Sequence, residues 1–189
     1  MLTMNNKQKK LLGFLIGLTL IIMGLTFRIL PHPPNFSPIA AIALFGGFYF
    51  SKKISIILPL SILFLSDIFI GFYEPILMAF IYGSFLVCVI LGFQLKKHKK
   101  WHAILQSSLL CSLIFFFLTN FAVWAFTPWY AKSFSGLIQC YLLAIPFFKN
   151  TLLGTLFFTG VIFGTYKVTK VWASKKLKLV IPANSSVNL

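Results

Sequence analysis

Acids are almost missing from this chain. Among its 189 residues only Asp67 and Glu74 bear a side-chain carboxylate, against 17 lysines and arginines. No HExxH, no GxSxG and no pair of carboxylates within one apolar run occurs, which leaves little for hydrolase chemistry. No GxxxxGK[ST] phosphate loop is present, which removes ATP hydrolysis by that route. The three cysteines, Cys88, Cys111 and Cys140, lie far apart with no CxxC or Cys/His spacing, and read as small buried hydrophobes. No enzyme, metal or cofactor is expected.

Polar surface is the next scarcity. Charged residues are 10% of the chain, hydrophobic residues 59%, and mean hydropathy is +0.92, too little polarity to coat a soluble domain. Apolar blocks run over 11–27, 39–50, 54–71, 76–94, 103–126 and 150–166, with a shorter one at 137–148. Several approach the roughly 20 residues that a helix needs to cross a bilayer, and lipid is the expected surround. The fold class is therefore all-α: a multi-pass helical membrane protein. Its single domain is expected over 11–181, between a cytoplasmic segment 1–10 and a disordered polar tail 182–189. Lys7, Lys9 and Lys10 before Leu11–Phe27 resemble a signal peptide. The run is too long for one and lacks a small-x-small cleavage site, so it is read as an uncleaved first span.

The formal charge of +15 raises nucleic acid as a partner. Its placement argues against one, because the bases sit in short clusters between apolar runs and form no separate basic domain. The same clusters orient the chain. With six crossings and a cytoplasmic N-terminus, fourteen of the 17 bases fall inside: Lys7, Lys9, Lys10, Lys52, Lys53, Lys96, Lys97, Lys99, Lys100, Lys167, Lys170, Lys175, Lys176 and Lys178. Arg28, Lys132 and Lys149 remain outside. Both termini are then cytoplasmic. Block 39–50 is short for a span, about 18 Å of helix, so a helix starting near Pro34 is expected. Block 137–148 is expected along, or dipping into, the outer face, with Pro146 ending it.

This threading gathers the unusual residues at one end. Arg28 and PHPPNF (31–36) follow the first span, and Asp67 lies near the outer end of the third. Asn120, Trp124, Tyr141 and Asn150 belong to the fifth span and the last connection. Such donors, acceptors and rings can bind a small polar solute. An ionisable group within a span is either functional or paired, and Arg28 is the partner available to Asp67. Trp124 can equally belong to an interfacial belt, His32 to a turn, and Asn35 and Asn120 to broken helix ends. Gly13 and Gly17 form a GxxxG, and Ala43 and Gly47 line the second block. They suit either packing within the chain or docking of another subunit.

Arg28-x-x-PHPPNFSPIAAIALFGG, LSDxxxG at 65–71, NFAVW at 120–124 and GLIQCYLLAIPFFKNTLLG at 136–154 resemble a group of bacterial membrane proteins described as substrate-binding (S) components of energy-coupling factor transporters. The resemblance spans about residues 28 to 164. It implies a six-helix bundle that captures a vitamin-like micronutrient at the outer face, with PHPPNF as part of a lid. Arg28, His32, Asn35, Phe36, Asp67, Asn120, Trp124, Tyr141 and Asn150 would contact the solute. Gly13, Gly17, Ala43 and Gly47 would dock a transmembrane coupling subunit driven by two ATPases. The family pattern has an acid after NTLLG where this chain has Thr155. The competing reading is a structural or assembly membrane protein without a ligand.

Overall fold

The computed structural model describes residues 6–97 and 100–180. The expected tail 182–189, and Lys99 of the basic cluster, lie outside the described residues. Among those described there are six helices: α1 (Asn6–Ile29), α2 (Ile39–Tyr49), α3 (Lys52–Ile70), α4 (Pro75–Leu95), α5 (Trp101–Phe126) and α6 (Phe134–Val180). All but α2 are long and apolar enough to cross a membrane, and the chain is a helical, multi-pass membrane protein. Large side chains such as Phe14, Ile57, Phe69, Phe117 and Phe157 point outward, as a bundle solvated by lipid requires.

Helix α2 is the hub. Every residue from Ile39 to Gly47 is buried. A helix apolar on every face suits a position enclosed on every side. It contacts α1, α3, α4, α5 and α6. Its closest neighbour is α4. A Cβ on Gly47 would stand 2.9 Å from the Cα of Gly92, and one on Gly92 would stand 2.8 Å from the Cα of Gly47. Backbone therefore rests on backbone, which small residues permit.

On another side, Pro59 interrupts α3 and cannot bond the carbonyl of Ser55. Gly46 packs over that turn, and Ser55 Oγ donates to Gly46 O (2.7 Å) and Ser51 O (2.8 Å). The aromatic cluster of Phe45, Phe48, Tyr49, Phe163 and Tyr166 closes the remaining side against α6.

α2 starts at Ile39 rather than near Pro34, and the reason is local. Phe36 N donates to Pro33 O (3.0 Å) across a turn with Pro34 second and Asn35 third, Asn35 having φ 64°. Proline followed by a left-handed residue is the sequence pattern of a type II turn, and asparagine tolerates that conformation better than most side chains. The chain thus enters the bundle as a turn, and helix begins only after Pro38.

The second correction concerns 137–148. This segment does not end at Pro146; it is the first part of α6, which runs unbroken for 47 residues. The helix survives because its early turns have a partner. Tyr141 and Phe148 stack against Phe116 of α5, and Tyr141 OH donates to Phe117 O (2.9 Å). Prolines are tolerated inside spans where neighbouring helices hold the axis in place.

The helix directions define two ends. One holds Lys52, Lys53, Lys96, Lys97 and Lys100, with Lys96 Nζ donating to Phe50 O (2.7 Å). The other holds the proline segment, Arg28 and the α5–α6 turn.

A candidate solute cavity at the proline end

Because α2 is half the length of its neighbours, the bundle above its first turn is not filled by helix. The segment 31–38 occupies part of that space, and a cavity of about 370 Å³ lies beside it. Arg28, His32, Asn35 and Ser37 line it from the segment and the end of α1. Thr151 and Thr155 come from α6, while Ala40, Ile70, Ile81, Phe85 and Phe115 supply apolar wall. Tyr73 completes it from the short α3–α4 connection.

Asp67 stands behind this lining, fully buried. Its Oδ1 accepts from Arg28 Nη2 at 2.5 Å and its Oδ2 from Tyr82 OH at 2.5 Å. A carboxylate in a span is costly unless both oxygens are satisfied, and here both are. Arg28 is less completely matched: its Nε is buried and has no acceptor. Beside the pair, burial raises the Tyr73 hydroxyl to about 12, with the negative charge of Asp67 adding to the shift and Arg28 opposing it. Tyr73 is therefore a proton donor at any physiological pH.

The proline segment is fastened at several points. Asn150 Nδ2 of α6 donates to Pro34 O (3.0 Å), bridging 116 residues of sequence. Phe36 packs on Phe158 (ring centroids 5.5 Å apart), and Gly154 leaves room for the backbone at Phe36 and Ser37. His32 Nδ1 bonds Leu30 O (2.7 Å), which fixes its ring across the turn.

The expected site residues therefore divide. Arg28, His32 and Asn35 line the cavity; Asp67 holds Arg28; Phe36 and Asn150 hold the segment. Asn120, Trp124 and Tyr141 are elsewhere, on the α5–α6 hairpin. Their donors are bonded to the backbone oxygens of Phe116 (2.8 Å), Ala131 (3.0 Å) and Phe117 (2.9 Å). Lys132 Nζ likewise caps α5 by donating to Trp124 O and Thr127 O. Trp124 and Lys132 thus tie the α5–α6 turn, Tyr141 joins the two helices, and Asn120 bonds within α5.

Of the four small residues expected on a docking face, Ala43 and Gly47 are buried inside the bundle, leaving no surface for a second subunit there. Gly13 and Gly17 are half-buried beside the Phe50 ring, 3.7 Å from a Cβ on Gly17.

Tyr73, Tyr82, Thr151, Thr155, Phe85 and Phe115 were not foreseen at the site. Thr151 and Thr155 carried a usable signal, since hydroxyls at i and i+4 share one helix face. Phe85 and Phe115 carried none, being two of 23 phenylalanines.

The chain belongs to a family of unknown function (DUF6580), which it matches over residues 8–177. No curated protein and no solved structure matches it.

Proposed function

We propose that this protein is a solute-capture subunit of an importer. It takes up a small molecule at the proline end and depends on separate subunits for energy. One observation carries the reading: a lined cavity above a truncated central helix, beside a proline segment clamped by Asn150. A bundle built only for assembly has no need to shorten its central helix and keep mixed polar and aromatic walls beside the gap.

On this reading the proline end faces outward, segment 31–38 with α2 completes the second of six crossings, and both termini are cytoplasmic. The resemblance to S components of energy-coupling factor transporters supports the same assignment. It names the partners as a transmembrane coupling subunit and two ATPases, and the solute as a vitamin-like micronutrient. The chain itself is no enzyme. Gly13 and Gly17, on the peripheral helix α1, are the docking positions still open to a partner.

The test is mass spectrometry of small molecules released on denaturing the purified full chain. A single species retained in stoichiometric amount is expected, and its release is expected to be faster in Asn150→Ala, where the segment has lost its clamp. No retained species, with Asn150→Ala indistinguishable from the parent, would leave the assembly reading standing.

A further inference from the structure

The capture reading leaves the solute's chemistry open, and the walls of the cavity narrow it. Resting on that reading, we infer that the site takes a small monocarboxylate with a flat apolar body, its carboxylate seated on the Nε edge of Arg28.

Size comes first. The cavity of about 370 Å³ lies near the lower end of the range of about 300–1,000 Å³ for small-molecule pockets, so the ligand is small. Charge comes second. Among the lining residues there is no acid, and Arg28 is the one fixed cation. Asp67 neutralises that charge but leaves part of the guanidinium's hydrogen-bonding capacity open: one carboxylate oxygen takes Nη2 and the other is taken by Tyr82. Within this ion pair Nε is buried without an acceptor. A buried N–H with no partner carries a desolvation cost that a ligand oxygen removes. The planar fork of Nε and Nη matches a carboxylate with two parallel hydrogen bonds, and a neutral carbonyl with only one.

Shape comes third. Phe85 and Phe115 stand with ring centroids 5.2 Å apart, tilted 34°, and Ile70 and Ile81 extend the apolar wall. Such a wall favours a flat hydrocarbon or heteroaromatic body. Thr151 and Thr155 add hydroxyls on the facing helix and no charge, and Arg28 is the one fixed counter-ion among the lining residues.

The full chain in detergent is titrated by calorimetry with benzoate, phenylacetate and indole-3-acetate, each beside its primary amide. At least one acid is expected to bind saturably and at least tenfold more tightly than its amide. Arg28 is the one arginine in the sequence, so ¹⁵N-arginine labelling gives a single Nε resonance in the unmutated protein. The bound acid is expected to shift it and the amide to leave it in place. Arg28→Lys keeps the charge, loses the fork, and is expected to lose at least tenfold for the acid alone. Equal binding of acid and amide, no binding of any acid, or an unmoved Nε resonance at saturation overturns the inference. A neutral or cationic molecule retained by the purified chain also overturns it while leaving solute capture intact. No retained molecule together with no acid binding brings down both.

Discussion

The two halves of α2 live in opposite environments. Its lysine-end half is packed until backbone meets backbone, with Gly47 against Gly92 and Gly46 over the turn that Pro59 opens. Its proline-end half faces a cavity, a turn instead of a helix, and a buried ion pair. Both halves are made of the same small apolar residues, IAAIALFGG. The difference lies in what the neighbours bring: α4 brings a glycine to one end, while α1, α3 and α6 bring Arg28, Asp67 and two threonines to the other. The dense half gives the bundle one arrangement, and the open half can then afford polar groups without collapsing onto them.

The contrast is broken most severely at Gly47. Gly47→Leu places atoms where the Gly92 backbone stands, and no flexible side chain can move aside. A loss of about 3 kcal/mol or more is expected, the upper range for overpacking, read as a fall in thermal unfolding temperature in detergent. Gly164→Ala, where nothing stands within 4 Å of the new methyl, serves as the control and is expected to be neutral or slightly stabilising. A well-folded Gly47→Leu would mean that α2 and α4 are not in backbone contact.

Next in size is Asp67→Asn, which leaves the Arg28 charge partly buried without its counter-ion. Breaking a buried pair costs about 3–5 kcal/mol, and the partial exposure of Arg28 puts the expectation at the low end. Removing both charges in Asp67→Asn/Arg28→Gln is expected to recover part of that loss. Additive losses in this double-mutant cycle would show that the two residues do not interact.

The smallest effect is titrational. The Tyr73 hydroxyl is raised from 10.0 to about 12 in the fold, so the folded state favours its protonated form. Its contribution to stability is whole below pH 10 and is lost as pH climbs toward 12. Alkaline unfolding curves of the parent and Tyr73→Phe are expected to diverge only in that window. Parallel curves would mean that the Tyr73 hydroxyl is not buried in the folded state.

Much of the architecture follows from the sequence alone. The length and apolarity of five helices are legible because spanning a bilayer imposes a length on any sequence, whatever its neighbours. The pairing of Arg28 with Asp67 was legible for a related reason: with so few acids, a charge in a span has few possible partners. The start of α2 was legible but is misplaced by the length argument: a helix from near Pro34 is the expectation, whereas Pro34-Asn35 is a turn pattern and helix begins only after Pro38.

Tertiary structure decided the rest. Whether Pro146 ends a helix depended on Tyr141 and Phe148 finding partners more than 20 residues away in the chain. The donors of Asn120, Trp124 and Tyr141 suited a ligand or the backbone, and in the packed bundle they bond backbone oxygens. Gly47 and Gly92 carry no pattern that links them, because a contact between two backbones leaves no side chain to read. Chain length and polarity are properties of a segment taken by itself, and the sequence determines them directly. A cavity is a property of the space left between segments, and it exists only once they have packed.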